Sequence, residues 1–218
     1  MRVLITAGPT YEPLDPVRFL GNHSTGKMGY ALAEAFAAAG AEVALISGPT
    51  NLPDPASSHI LTTRVQTAAE MYEAAAHAAR LADVWVFAAA VADYRPAEVA
   101  AQKIKKSGER LTLELVKNVD IAFELGKTKQ PEQFSVGFAL ETENEQAHAL
   151  GKLERKNFDL IVLNSLRDAG AGFRHDTNQV TLLEADGRAT AFGLKSKTAV
   201  AHDIVGVVLA RLAARHDD

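Results

Sequence analysis

Residues 1–46 read MRVLITAGPTYEPLDPVRFLGNHSTGKMGYALAEAFAAAGAEVALI and hold a complete strand–helix–strand unit. Val3, Leu4 and Ile5, like the run 43–46, are almost wholly apolar, as strands buried on both faces of a parallel sheet should be. Between them Met28, Ala31, Leu32, Ala35, Phe36 and Ala39 recur at helical spacing, and Gly40 supplies the stop. A right-handed crossover is the default for such a unit.

The rhythm continues along the chain. Thr67-x-x-Glu70 is a capping box that opens a helix to about Leu81, and a strand follows at 84–87. Asn118 reads as the cap of a helix running toward Leu125, with the next strand at 134–138. A second capping box, Thr142-x-x-Glu145, starts a helix that reaches Lys156, and the strand at 160–163 closes the parallel set. Residues 179–183 and 190–192, around Asp186 and Gly187, read as a hairpin. A last amphipathic helix carries Val200, Ile204, Val208 and Leu212. This alternation predicts an α/β fold: a Rossmann-like, doubly wound, mainly parallel sheet with helices on both faces, in a single domain over 1–218. Residues 94–116 break the pattern. They are polar and lysine-rich, end in a predicted strand at 111–115, and read as a flap or arm projecting from the sheet.

Composition narrows the function. Of 218 residues, 47% are hydrophobic and 23% charged, which is enough apolar material for a full core. A net charge of −4 gives no general attraction to nucleic acid or to an anionic membrane, so an anionic ligand needs a local constellation. With no cysteine, thiol catalysis, thiolate metal sites and disulfides are excluded for this chain. No apolar run approaches the ~20 residues that span a bilayer, and the first strand begins without a secretory leader. A cytoplasmic protein is the expectation.

The segment Gly21-Asn-His-Ser-Thr-Gly-Lys-Met-Gly29 lies where a loop enters the first helix. Glycines let backbone approach a phosphate, and a helix N-terminus offers free N–H groups and a positive dipole end. Alone, such a turn is more often an ordinary capped turn. It almost spells a P-loop, but Met28 stands where a Ser or Thr hydroxyl should hold Mg²⁺. A dinucleotide site would need an acidic residue after the second strand, and that position reads Ile46-Ser-Gly-Pro49. The long proline-rich stretch 7–18, at the carboxyl edge of the sheet, is a further functional candidate. So is Ala88-Ala-Ala-Val-Ala-Asp93 at the same edge, where small residues leave room for a ligand and Asp93 can accept hydrogen bonds.

Taken in order, TAGPTYEPLDPVRFLGNHSTGKMG (6–29), AAAVADYRP (88–96), KIKK (103–106), KNVDI (117–121), VGFALET (136–142) and KNFDLIVLN (156–164) resemble phosphopantothenoylcysteine synthetase over nearly the whole chain. The resemblance implies a ligase of coenzyme A biosynthesis. Such an enzyme activates 4′-phosphopantothenate with CTP as an acyl-cytidylate, releases pyrophosphate, and joins the acyl group to L-cysteine with loss of CMP. Mg²⁺ is the implied cofactor, with no ligands assigned. By the same resemblance Gly8, Ser24, Gly26 and Gly29 line the triphosphate site, and Lys103 is the flap cation of cytidylyl transfer. Asn22 holds the substrate carboxylate and steadies the acyl-cytidylate. Ala89, Ala90 and Asp93 bind the pantoyl and amide part, although Asp93 could contact nucleotide instead. Arg18 reaches the phosphate of substrate in a second subunit, which implies a homodimer with a shared site. Phe138 and Asn164 contact the base, and Lys152 and Lys156 approach the nucleotide beside Val119, Asp120, Ile121 and Ala122.

Several of these residues have bland alternatives. Lys152 and Lys156 read equally well as surface charges beside Glu154, and Phe138 as core. Lys27 reads as a cap or a solvated side chain, and His23 and His175 receive no role. In many bacteria the family module follows a flavin-dependent decarboxylase, a candidate partner module. With Met1 directly on the first strand, this chain reads as free-standing or as an excised domain. The competing function is an NAD(P)-dependent Rossmann-type reductase, and a third is a non-catalytic partner of the decarboxylase.

Overall fold

The computed structural model describes residues 1–105, 108–141, 144–165 and 175–216. Strand β1 (Arg2–Ala7) leads through a short hairpin, β2 (Tyr11–Pro13) and β3 (Phe19–Gly21), into helix α1 (Lys27–Ala38) and strand β4 (Glu42–Ser47). Next come β5 (Ile60–Arg64), α2 (Ala68–Ala79), β6 (Val84–Phe87), β7 (Tyr94–Pro96), β8 (Leu115–Lys117), α3 (Ile121–Gly126) and β9 (Phe134–Glu141). The chain ends with α4 (Glu145–Arg155), β10 (Leu160–Ser165), β11 (Thr177–Asn178), β12 (Val180–Glu184), β13 (Ala189–Ala191), β14 (Lys195–Ser196) and α5 (Lys197–His216).

Eight strands form one sheet in the order β13-β12-β10-β9-β6-β1-β4-β5. From β5 to β10 every neighbouring pair is parallel, and β12 and β13 extend the sheet antiparallel as the predicted hairpin. The parallel strands follow the doubly wound Rossmann order, whose direction of travel reverses between β1 and β6. Successive side chains of a strand face opposite sides, and both sides are buried here. Val3, Ile5, Val84 and Val86 pack with α1 and α5, while Leu4, Trp85 and Phe87 pack with α2, α3 and α4. The Trp85 indole N–H, buried with its ring, donates to the Ala79 carbonyl at 3.2 Å. Among the described residues, no helix is long and apolar enough to cross a membrane.

The structure departs from the sequence reading at three places. The helix expected from Asn118 starts at Ile121 with Asp120 as its cap, whose carboxylate accepts the Phe123 N–H at 3.2 Å. Asn118 instead donates its side-chain amide to the Ala92 carbonyl at 2.8 Å, tying two loops together. The arm's strand lies at Leu115–Lys117 rather than at 111–115, because its partner is the short β7 at the base of the arm. The edge strand β5 is an addition to the expected set. Its mostly exposed residues, ILTTR, lack a clean apolar alternation. Thr142, the expected cap of α4, lies outside the described residues, and the described helix begins at Glu145 with Asn144 in a left-handed conformation before it. The Thr67–Glu70 capping box is formed in both directions.

At the amino-terminal edge of the sheet, Asp159 gathers Lys129 Nζ (2.8 Å), the Ser135 N–H (2.7 Å) and an Arg215 guanidinium N–H (2.6 Å), tethering the end of α5. Burial alone would raise this carboxyl, but Lys129, the Ser135 amide and Arg215 outweigh it and hold it below the ordinary value. A depressed folded pKa contributes stability above the unfolded value of about 4, and that stability is lost as pH falls through the folded value. Urea titrations should therefore find this contribution intact at neutral pH and lost progressively below about pH 4. Asp159→Asn should flatten that acid limb. An unchanged limb would remove Asp159 from the account.

Two glycines give opposite expectations. A Cβ on Gly48 would sit 1.7 Å from the Pro9 carbonyl oxygen, so the loop after β4 closes only around a bare backbone. Gly151 lies inside α4 with nothing within 4 Å of an added Cβ. Gly151→Ala should stabilise the chain by ~0.5–1 kcal/mol. Gly48→Ala should cost ~1–3 kcal/mol or more. Urea midpoints for both variants check the pair.

Candidate active site

The reversal between β1 and β6 opens a crevice at the carboxyl ends of the strands, where doubly wound folds bind ligands. Beyond the sheet the two chains stay side by side. Ala88 N–H donates to the Thr6 carbonyl (3.1 Å), Ala90 N–H to Gly8 (2.9 Å), and Thr10 N–H back to Ala90 (3.3 Å). The Thr10 hydroxyl accepts from Ala92 N–H at 3.0 Å. This paired backbone forms the floor of a cleft of about 750 Å³.

The glycine loop is one wall. Gly26 caps α1 at φ +78, and the Ser24 hydroxyl accepts its N–H at 3.4 Å. A Cβ on Gly29 would lie 2.5 Å from the Ala7 Cβ, so glycine lets the first turn of α1 press onto the end of β1. Gly8, at φ +76, turns the chain behind this wall and does not line the cleft. Thr50 braces the loop from outside, donating to the Thr25 carbonyl at 2.8 Å. Asn22 reaches across and donates to the Ala90 carbonyl at 2.9 Å, so two residues assigned to one substrate by resemblance touch each other. Its Nδ2 carries a second N–H for a ligand.

The opposite wall comes from α3, α4 and the ends of β9 and β10. Val119, Asp120, Ile121, Ala122, Phe138, Lys152, Lys156 and Asn164 all line it, as do Ser24, Gly26, Gly29, Ala89, Ala90 and Asp93 on the other sides. Lys156 Nζ pairs with Asp120 at 2.9 Å, which fixes α4 against the cap of α3. The Asn164 side-chain oxygen is buried without a hydrogen-bond partner among the described residues. A buried acceptor in a cleft wall can take a hydrogen bond from a water or a ligand.

Arg18 and Lys103 stand outside the cleft lining. Arg18 holds Asp15 through Nε (3.0 Å) and NH2 (2.5 Å), and donates to the Ile104 carbonyl at 2.8 Å. Asp15, only 3% exposed, accepts the Ile104 N–H at 3.0 Å. Its carboxyl is held well below the usual range, chiefly by Arg18. The pair thus clamps both backbone groups of the residue beside Lys103, whose own side chain is exposed. Lys106 of the KIKK run lies outside the described residues.

The structure adds residues that the sequence reading leaves out. Lys197, 8% exposed, lines the cleft together with Asn178, Lys117 and Asn118. Burial, with nearby Lys27, lowers the Lys197 ammonium below its ordinary value. Lys27 also lines the cleft and pairs with Asp176 at 2.5 Å. A lysine opening a helix opposes the helix dipole, and that is the signal the sequence offers for both.

Where a dinucleotide-binding fold keeps its ribose acid, β4 ends in Ser47, whose hydroxyl is engaged by the Tyr30 hydroxyl (2.9 Å) and the Gly48 carbonyl (3.0 Å). The reductase reading therefore lacks its recognition residue. Among the described residues, no group of three or more His, Cys, Asp or Glu gathers to hold a metal.

Known proteins place this architecture. Residues 1–212 match the family model described as "DNA/pantothenate metabolism flavoprotein C-terminal domain". The chain is 50% identical over 208 residues to a "Cysteine/Cysteine sulfinic acid decarboxylase" of an unknown prokaryotic organism, covering 95% of this chain and 58% of that protein. It is 48% identical over 208 residues to the "Coenzyme A biosynthesis bifunctional protein CoaBC" of Bacillus subtilis (strain 168), covering 95% and 51%. The chain thus spans little more than half the length of these curated relatives. The crystal structure of a CoaBC C-terminal domain shares the fold with a TM-score of 0.82 at 40% identity, covering 100% of this chain and 96% of that one. With the whole doubly wound unit inside these matches, the chain belongs to the DNA/pantothenate metabolism flavoprotein C-terminal domain family.

Proposed function

We propose that this chain is a phosphopantothenate–cysteine ligase that activates 4′-phosphopantothenate with CTP and joins the product to L-cysteine. The observation that carries the reading is one cleft in which the glycine loop opening α1, Asn22 on the Ala90 carbonyl, and the lysines of α4 face each other.

The chemistry needs no strong base at first, because the substrate carboxylate is already ionised near neutrality. Its oxygen attacks the α-phosphorus of CTP, an oxygen–phosphorus bond forms, and the bond to pyrophosphate breaks. The difficulty is bringing two anions together, so fixed donors matter most. Gly26, Gly29 and the Ser24 hydroxyl take the phosphates at the mouth of α1, with Gly8 turning the chain behind them. Lys152 and Lys156 approach the nucleotide beside 119–122, and Phe138 and Asn164 hold the base. Ala89, Ala90 and Asp93 bind the pantoyl amide portion. Asn22 then holds the acyl carbonyl while the amine of cysteine attacks. The new carbon–nitrogen bond forms, CMP departs, and the amine's surplus proton passes to solvent.

Mg²⁺ bound with the nucleotide would neutralise charge on the phosphate oxygens. The residues suit that ion, because Mg²⁺ usually keeps waters and takes one or two carboxylates beside substrate phosphates. Asp93 lines the cleft and would serve if it faces the nucleotide instead of the pantoyl amide, whereas Asp120 is already paired with Lys156. Lys103 acts when the arm swings its ammonium to the cleft. Arg18, outside its own cleft, would meet the substrate phosphate of a second copy in a homodimer. The reading places the chain in the cytoplasm. A flavin-dependent decarboxylase module is the natural partner, since the bifunctional relative is about twice as long.

Pyrophosphate release from CTP and phosphopantothenate, with cysteine withheld and then added, tests the reading. Release without cysteine is expected, followed by CMP when cysteine is supplied. Release from ATP but not CTP would overturn the nucleotide assignment. Lys103→Gln should slow the first step, and Asn22→Asp the second, each by ~10²–10³-fold. Equal loss of both steps in Asn22→Asp would count against its role. CTP at one hundred times its Kd should add ~2.7 kcal/mol of stability and raise Tm, and NADPH should not.

A further inference from the structure

The chain leaves the cleft floor after Asp93 and returns to it at Lys117. A short antiparallel ladder closes the root of the arm between them, pairing Tyr94 with Lys117, Arg95 with Val116 and Pro96 with Leu115. The Arg95 guanidinium donates to the Lys117 carbonyl at 2.8 Å. Asn118 then ties the returning strand to the floor. Its backbone N–H donates to the Asp93 carbonyl at 2.9 Å, and its side-chain amide to the Ala92 carbonyl at 2.8 Å. Residues directly opposed in an antiparallel pair put their side chains on one face, and Tyr94 and Lys117 both line the cleft.

Among the described residues five lysines line this cleft: Lys27, Lys117, Lys152, Lys156 and Lys197. Lys27 pairs with Asp176, Lys156 with Asp120, and Lys197 donates to the His175 carbonyl. Lys152 approaches the nucleotide in the ligase reading. The Lys117 ammonium has no hydrogen-bond or ion-pair partner among the described residues, although Asp93 lines the cleft from the facing end of the arm root. Lys117 therefore combines a backbone fixed from both sides with a charge that the protein leaves uncommitted.

We propose that Lys117 takes the α-carboxylate of the amino-acid acceptor and so fixes where the attacking amine stands. This role rests on the ligase reading and deepens it. In that reading the nucleotide phosphates meet the glycine loop and the lysines of α4, the acyl group meets Asn22, and the substrate phosphate is left to Arg18 across a dimer. The carboxylate of the acceptor is the one anionic group without a counter-charge. An ammonium held on a fixed ladder supplies it, and a charge-assisted hydrogen bond to a carboxylate is among the stronger contacts available. One backbone strip joins the two holders. Its Ala90 carbonyl carries Asn22, while its Ala92 and Asp93 carbonyls carry Asn118 and, beside it, Lys117. Acyl group and acceptor are then positioned by the same piece of chain, which turns their encounter into a reaction between neighbours.

Ligation by the intact chain, with phosphopantothenate and CTP, tests this role when cysteine is compared with cysteamine, which is cysteine without its carboxylate. The native chain should prefer cysteine. Lys117→Met should reduce that preference by roughly tenfold or more, through a higher KM for cysteine with little change for cysteamine. Lys117→Arg should keep part of the preference, because it keeps the charge. Lys117 is exposed, so both variants should fold. Equal use of the two acceptors by the native chain, or a preference that survives intact in Lys117→Met, would overturn the carboxylate role and leave the ligase reading standing. A loss in Lys117→Met confined to pyrophosphate release before any acceptor is added would put the ammonium on the nucleotide, and would overturn the role as well. A native chain that releases no pyrophosphate and joins neither acceptor would sink the ligase reading, and the role of Lys117 with it.

Discussion

Beyond the sheet, the chains leaving β1 and β6 run on together, and the hydrogen bonds among Thr6, Gly8, Thr10, Ala88, Ala90 and Ala92 keep them in register where no strand is left. Everything at the cleft is hung on that doubled backbone. It satisfies polar groups that would otherwise be stranded at the crevice floor. It presents the Ala90 carbonyl that Asn22 grips, and the Ala92 carbonyl that Asn118 grips from the other side. Bulky residues would fill the space, which is why alanines stand from 88 to 90. Glycines at 8, 29 and 48 serve the same constraint, because each lets backbone or a helix turn approach where a Cβ would collide or strain.

Electrostatics follows a similar local logic. A chain of net charge −4 would repel a polyphosphate at long range, so the proposed nucleotide would need attraction built at short range. Lysines at the starts of α1 and α5 and at the end of α4 line the cleft, and three of them hold a protein oxygen: Lys156 on Asp120, Lys27 on Asp176, Lys197 on the His175 carbonyl. A site prepared this way stays ordered without ligand.

How much of this is legible in the sequence depends on the range of the forces involved. The strand–helix alternation from Val3 to Leu163 is readable because burial on both sheet faces writes long apolar runs into the chain. The capping box at Thr67 is readable because it is local. Asp120 rather than Asn118 caps α3 because Asn118 is claimed by the Ala92 carbonyl, a contact between segments 26 residues apart that no local rule reveals. The edge strand β5 borrows its geometry from β4, so its own polar residues carry little signal. Most residues of the cleft's two walls follow from family resemblance, although Gly8, Arg18 and Lys103 fall outside the lining. Lys197 does not, since its significance appears only when the β11–β14 ladder carries it to Lys27.

The arm poses the remaining mechanical question, because Lys103 stands outside the cleft in which the proposed ligase would use its charge. The clamp of Asp15 and Arg18 on Ile104 bears on it directly. Asp15 is almost fully buried, and its carboxyl stays ionised far below neutrality because the Arg18 guanidinium lies against it. The clamp therefore does not respond to pH near 7, and acid is not its release. Competition for Arg18 is a release that the geometry permits. Its NH2 nitrogen is shared between the Asp15 carboxylate and the Ile104 carbonyl, so a phosphate that drew this nitrogen away would compete with a charged partner as well as a neutral one. Capture of Arg18 by such a group would remove one of the two bonds on Ile104 and leave the arm held by the Ile104 N–H on the Asp15 carboxylate. In the proposed ligase the group that does this is the substrate phosphate, so substrate binding and the freeing of Lys103 would be one event rather than two.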